Sequence, residues 1–301
     1  MANCKFCGKK TGWFSDAHES CAEDAQAGAN EIETIISAAA KEIGQGGATP
    51  NIQSRIDQVV AQKKVPLGAA NAAIIQGWSN SVSEIALREP LQSDKQLALL
   101  HLYQQLGFTN EGMRKTNGFA AVNLSAVLWA LINDVRELYD GAMVSRNPFN
   151  LKAGEIPIAF FASVSYSQEM STRSYEGGYG GLSVRLAPGV YSHFGGFKGH
   201  RIEQHEMKEI DYSGNGNGGM LLTTQALYYG GDHTTFRIPF DHVISFHARE
   251  DGIGLSRNFG QGRPEVFSIV VLGANNAPTP APSVYGWFLF NAMRFLATKM
   301  R

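Results

Sequence analysis

The chain has 301 residues, 44% hydrophobic and 18% charged, with a formal net charge of −1. That length buries substantial cores without covalent staples, and the charge balance argues against the strongly basic face that a nucleic-acid partner requires. All three cysteines fall within the first 21 residues, an odd count in one place that argues against a secreted disulfide framework. Met1 leads into a polar, cysteine-bearing segment, not the charged and apolar regions of a signal peptide. The longest apolar run, VYGWFLFNAMRFLA, is interrupted by Asn291 and Arg294 and is too short for a membrane span. The expectation is a cytoplasmic protein with no transmembrane segment.

The first element is CKFCGKKTGWFSDAHESC, residues 4–21. Cys4 and Cys7 have C-x-x-C spacing, and Gly8 favours the tight turn that points both thiolates at one ion. His18 and Cys21 are three apart, so they share a side if they open a helix. Asp16 is the expected N-cap, with Glu19 three residues on completing a capping box. Three sulfurs and one imidazole fill a tetrahedral shell, the composition of structural zinc; a catalytic zinc keeps a position open for water. A redox pair would need a strand leading into Cys4, and none is indicated. Cys4, Cys7, His18 and Cys21 are therefore the expected zinc ligands, in a knuckle spanning 1–24.

An α-helical module is expected over 25–148. Ile52, Ile56, Val59 and Val60 recur at helical spacing, as do Leu99, Leu102, Tyr103 and Leu106. Gly107 ends that second helix. Leu124, Val127, Leu128, Leu131, Val135 and Leu138 form a third stripe. Breaks fall at GQGGATP, REPLQSD and FTNEGMRKTNG. His101 has no second ligand placed for it and reads as a packed or rim histidine.

After SRNPFNLKAGE the composition turns β-branched and aromatic. IPIAFFASVSY, GLSVRLAPGVYSHF, GHRIEQHEMKEIDY, GGMLLTT, QALYYGG, TFRIPFDHVISFHAR, GIGLSRN and PEVFSIVVL read as strands. Pro278, Pro280 and Pro282 end the strand run, and SVYGWFLFNAMRFLATKM reads as a helix apolar around most of its circumference. The expected fold is α+β: a Cys3His zinc knuckle with an α-helical module, then, over 149–301, an antiparallel sheet closed by a C-terminal helix.

The β half resembles the bacterial pleckstrin-homology-like and GRAM-like pattern. The residues that carry the resemblance are Gly219, Leu221, Thr224, Tyr228, Arg237, Ile238, Pro239, Ile244 and Asp251-Gly252-Ile253. The upstream GGLSVRLAPGVYSHFGGFKG resembles the first half of such proteins, which often carry zinc or helical segments in front. The resemblance covers about half the chain and implies a fold; that fold hosts many functions. LREPLQSDKQLALLHLYQQLGFTNEGM is more faintly similar to TerB-like tellurite-resistance modules, whose acidic metal ligands would map onto Asp94 and Glu111. A solvated surface is the simpler reading of both.

Phosphoinositide binding would need clustered cations in SQEMSTRSYEGGYGG, read as the loop between the first two strands. Arg173 stands there beside Glu169 and Glu176, which argues against it. Lys198 and Arg201 read as an ordinary solvated loop. His193, His200, His205, His233, His242 and His247 form no metal-ligand motif; His200 and His205 are five apart and face opposite sides of a strand. No G-x-S-x-G elbow or P-loop occurs, so no catalytic residue is assigned. SYEGGYGG and GNGNGG read as glycine-rich loops suited to recognition tips. The functional expectation is a non-enzymatic, zinc-stabilised interaction or scaffold protein with a protein partner, in bacterial or phage stress response or defence. The alternatives are a hydrolase-like enzyme with a site in the histidine-rich β half, and a peripheral membrane adaptor using the C-terminal helix.

Overall fold

The structure is a computed structural model that describes residues 3–12, 15–136, 148–187, 190–212, 219–258, 264–272, 278–280 and 282–299. It is α+β, with helices first, antiparallel sheets after them and a closing helix.

Helix α1 runs Glu19–Gly44 and buries Ile32, Ile35, Ile36, Ala39 and Ile43, a spacing of three to four residues that puts them on one face. That face meets α3, Leu67–Arg88, with α2, Gln53–Lys63, beside it. Gly77 sets the α1–α3 distance, since a Cβ there would stand 3.0 Å from Glu33 Cα. Trp78, fully buried on α3, donates its indole N–H to the Leu99 carbonyl at 2.9 Å and so ties α3 to α4, Ser93–Gln105. Its ring packs on Tyr103, which packs on Phe108.

The break expected at FTNEGMRKTNG contains a one-turn helix, α5, Asn110–Arg114, capped by Thr109. Thr116 caps α6, Asn117–Ile132, accepting from Phe119 N–H at 3.2 Å. The stripe expected to continue to Leu138 stops early. α6 ends at Ile132, and Asp134 takes a left-handed φ of 58° that no helix continues through. Val135 therefore lies beyond the helix, and Leu138 lies outside the described residues.

The β half forms two antiparallel sheets. In one the strand order is β1-β4-β5-β6 (Pro157–Phe161, Gly219–Thr223, Ala226–Gly230, Thr235–Pro239). In the other it is β3-β2-β9-β8-β7 (Val190–Tyr212, Val164–Ala187, Pro264–Leu272, Gly252–Arg257, Val243–Ala248). IPIAFFASVSY was expected as one strand. It is two, because the run breaks at Ala162–Ser163, and β1 pairs with β4 while β2 pairs with β9. The same run thus belongs to both sheets. TFRIPFDHVISFHAR is likewise split into β6 and β7 by a 3-10 turn, Phe240–His242.

Two further expectations are corrected. SYEGGYGG is not a loop but the middle of β2, and Arg173 lies in the same strand. Three of the four glycines there stand opposite glycines of β3, as Gly177↔Gly199, Gly180↔Gly196 and Gly181↔Gly195, while Gly178 stands opposite Lys198, so residues of low strand propensity face each other in one ladder. Pro278 and Pro280 do not simply end the strands. They belong to β10, Pro278–Pro280, at the margin of β9, where a missing N–H is tolerated. Residues 213–218, most of GNGNGG, lie outside the described residues.

Between the sheets Tyr166, Tyr229, Phe236 and Phe267 form an aromatic core, with Tyr166 stacked on Phe267 at 5.1 Å. Helix α7, Ser283–Lys299, buries Phe288, Leu289, Ala292, Met293 and Leu296 between α6 on one side and β7–β8 on the other. Gly286 permits that approach, because a Cβ there would fall 1.7 Å from the Arg249 carbonyl oxygen. One buried cluster runs from Ile32 to Leu296, so helices and sheets share a core. No helix among the described residues is long and apolar enough to cross a membrane.

Candidate metal centre

The knuckle is built by backbone bonds. Gly8 N–H donates to the Cys4 carbonyl at 2.8 Å, and Gly8 takes a φ of 72°, the left-handed turn that glycine reaches without a Cβ penalty. Cys4 N–H donates to Lys9 O at 2.7 Å, and Asn3 bridges Lys10, closing a small loop around the two cysteines. The return segment is pinned where Lys5 N–H donates to Asp16 O at 2.9 Å and Lys5 Nζ meets the Asp16 carboxylate at 2.7 Å.

That ion pair explains a corrected expectation. Asp16 is not the N-cap of α1. Its carboxylate is engaged by Lys5, the helix begins at Glu19, and His18 is the N-cap, in extended conformation with no side-chain capping bond. His18 and Cys21 are thereby placed at the cap and the third helical position, with both side chains turned toward the cysteine loop.

The ligating atoms of Cys4, Cys7, His18 and Cys21 all lie within 4.8 Å of one another. His18 Nδ1 stands 3.4 Å from Cys7 Sγ and 3.8 Å from Cys21 Sγ. Tetrahedral zinc, with bonds of about 2.3 Å to sulfur and 2.0 Å to nitrogen, sets such edges at roughly 3.5–3.8 Å. His18 Nε2 is 3.0 Å from the Lys10 carbonyl oxygen, which only accepts. The proton therefore sits on Nε2, and Nδ1 turns its lone pair toward the sulfurs, the outer-shell arrangement that orients a ligating imidazole.

The electrostatics agree with the geometry. Burial pushes the Cys4 thiol up, but the backbone N–H groups of His18, Cys7 and Phe6 outweigh it and bring it down to about 6. The backbone N–H of Lys9 lowers Cys7. Cys21 is raised, by burial and by the neighbouring Cys7 and Cys4. His18 is raised, first by the Lys10 carbonyl and then by Cys7. Lowered Cys4 and Cys7 thiols thus face the Nδ1 lone pair, where a cation would displace thiol protons. The four residues could hold a metal ion, and no other cluster of this kind occurs among the described residues.

The remaining candidates are dispersed. Asp94 accepts from the adjacent Lys95 N–H, and Glu111 is paired with Lys115, so each is satisfied locally. His101 is exposed on the rim of a groove lined by Leu97, Leu100, Met113 and Phe119. His193, His200 and His205 lie along β3.

Two buried carboxylates escaped the sequence reading. Glu265, 1% exposed, accepts from the Tyr166 hydroxyl at 2.5 Å and from the Arg257 guanidinium. Glu155 accepts from Tyr228 and Arg237 in the same way. Each is a buried anion satisfied by one arginine and one tyrosine, an arrangement that holds strands in place. Tyr166, Tyr228 and Arg237 are far from their glutamates in sequence, and Arg257 meets Glu265 across the β8–β9 pair, so strand register brings each set together.

An apolar groove of about 290 Å³ lies between β7 and α7, lined by Phe240, Val243, Ile244, Phe246, Met293 and Ala297, with Asp241 at its rim. Ile244 is 64% exposed. β7 is the last strand of its sheet. Arg249 N–H donates to Gly252 O, which sets the antiparallel alternation so that the N–H and C=O of Phe246 and Ala248 point away from β8.

Compared with protein-family models, with curated proteins and with solved structures, the chain finds no match.

Proposed function

We propose that this chain is a non-enzymatic interaction protein whose N-terminal knuckle is held by structural zinc and whose β half is a pleckstrin-homology-like recognition domain. The zinc assignment rests on the closed Cys3His donor set, whose ligating atoms lie within 4.8 Å of one another, with His18 Nδ1 3.4 Å and 3.8 Å from two of the sulfurs. The recognition-domain reading rests on antiparallel sheets that share one strand run and are closed by a C-terminal helix. The proposed setting is the bacterial or phage cytoplasm, in stress response or defence.

The observation that carries the binding role is the groove beside β7. A strand edge that no described strand pairs with, next to an apolar trough, suits an extended protein segment that adds a strand and sets alternate apolar side chains into the trough. α7 carries Arg294 and Lys299 and no acidic residue, whereas Asp241 stands at the groove's other side, so the fitting segment turns its acidic residues toward α7. The test is capture of a partner from host lysate by wild type, Ile244→Asp and the Cys4→Ser/Cys7→Ser double variant. A partner held by wild type and lost with Ile244→Asp supports the reading. A partner held equally by wild type and Ile244→Asp, or no partner at all, overturns it.

A further inference from the structure

β2 and β3 form a ribbon far longer than the sheet that carries it. β2 pairs with β9 only from Val164 to Gln168, whereas its pairing with β3 continues to Ala187↔Val190. Among the described residues, the hairpin beyond Gln168 is two strands wide for roughly 60 Å, at about 3.3 Å per residue. A two-stranded ribbon alone is marginal in water, and three or more strands are needed for independent stability. β3 is also the terminal strand of its sheet, and among the described residues no strand pairs with its outer backbone edge. Long open edges are templates for another strand.

We propose that β3 pairs antiparallel with β3 of a second copy of this chain, about a two-fold axis at Ile202. Such an interface is self-complementary by symmetry. Because successive residues alternate faces, the axis must pass through one residue facing its own copy. With Ile202 at the centre, Arg201 faces Glu203, Lys198 faces Glu206 and Phe197 faces Met207 of the partner copy. Lys208 and Glu209 face Gly196 and Gly195. Every charged residue from Gly195 to Glu209 then meets an opposite charge or a glycine, the pairing that stabilises a ladder. Moving the centre by one residue destroys this. At Arg201 the arginine faces its own copy; at Glu203 the glutamate does so, and Lys198 also faces Lys208. The product is a four-stranded sheet, β2-β3-β3-β2, across two chains. The inference stands on β3 alone and holds whatever the β7 groove binds.

The test is sedimentation velocity of the full chain at micromolar concentration. Wild type is expected as a dimer. Lys198→Glu sets like charges against Glu206 at two symmetric places and should weaken self-association about ten-fold or more. Lys198→Glu/Glu206→Lys restores the match and should restore the dimer. Within the hairpin these two positions face only Gly178 and Met170, so the exchange leaves the ribbon's own pairing undisturbed. Independently, Ile202→Cys should give an interchain disulfide on oxidation, and Gly199→Cys, which faces His205 of the partner copy, should not. A monomeric wild type, a single variant that dimerises as wild type does, a double variant as weak as the single, or equal cross-linking at both positions would overturn the proposal.

Discussion

His18 and Lys10 meet through a 3.0 Å hydrogen bond from Nε2 to the backbone carbonyl, and that contact leaves Nδ1 as the nitrogen that faces the three thiols. A side chain at a helix cap thus has its tautomer set by the strand-like return of the cysteine loop. If zinc sits in the knuckle as proposed, His18→Ala removes one of its four donors and should lower zinc affinity by orders of magnitude. His18→Cys completes a four-sulfur shell, another closed zinc set, and should retain one metal per chain. Competition with a chromophoric chelator measures both. Equal affinity in wild type and His18→Ala would show that the imidazole is not a ligand.

Cys7→Ser should fray the start of α1, because the knuckle anchors its first turn through His18 and Cys21. The melting temperature should fall by about 2 °C or more, the scale of about 1 kcal/mol in a chain of this size. Amide exchange should speed up near residues 19–25, while the α6–α7 core stays protected. A variant that melts and exchanges as wild type does would make the metal irrelevant to stability.

Glu265→Ala removes a buried carboxylate and strands Arg257, whose side chain is only 23% exposed, together with the Tyr166 hydroxyl. Breaking one partner of a buried pair costs about 3 kcal/mol or more. Glu155→Ala should behave similarly through Arg237 and Tyr228. Urea unfolding gives both values, and a loss under about 1 kcal/mol would show that the remaining groups find water.

Tyr166 is pushed well above the ordinary tyrosine range by burial and then by Glu265, and burial also raises Tyr228 and Tyr285. Their folded-state pKa values are raised, so their contribution is intact below the unfolded value of about 10 and is lost as pH climbs beyond it. Stability should therefore fall steeply above that pH, and Tyr166→Phe should flatten the fall. An unchanged alkaline slope in that variant would assign the effect to other groups.

Gly286→Ala sets a methyl group against the Arg249 carbonyl and must push α7 away from the turn between β7 and β8. Overpacking of this kind costs about 1–3 kcal/mol. The loss should appear in calorimetry together with faster amide exchange in α7. A neutral substitution would mean that α7 shifts without cost.

The parts legible in the sequence were those with local signals. Cys4, Cys7, His18 and Cys21 announced themselves by spacing, and the Leu99–Leu102–Tyr103 stripe by its period. The start of α1 was misread because Asp16 looks like a cap, and only the folded knuckle brings Lys5 to its carboxylate. The middle of β2 was misread because glycines disfavour strands, and only the register shows glycine facing glycine. Glu155 was invisible as a site because its arginine partner lies 82 residues away, on the far edge of the sheet.

The most direct test of the account is the metal content of the full chain, purified without added metal and measured by elemental analysis beside Cys7→Ser. One zinc per chain is expected in wild type and far less in the variant. Wild-type protein with far less than one zinc, or a variant that holds as much as wild type, would contradict it.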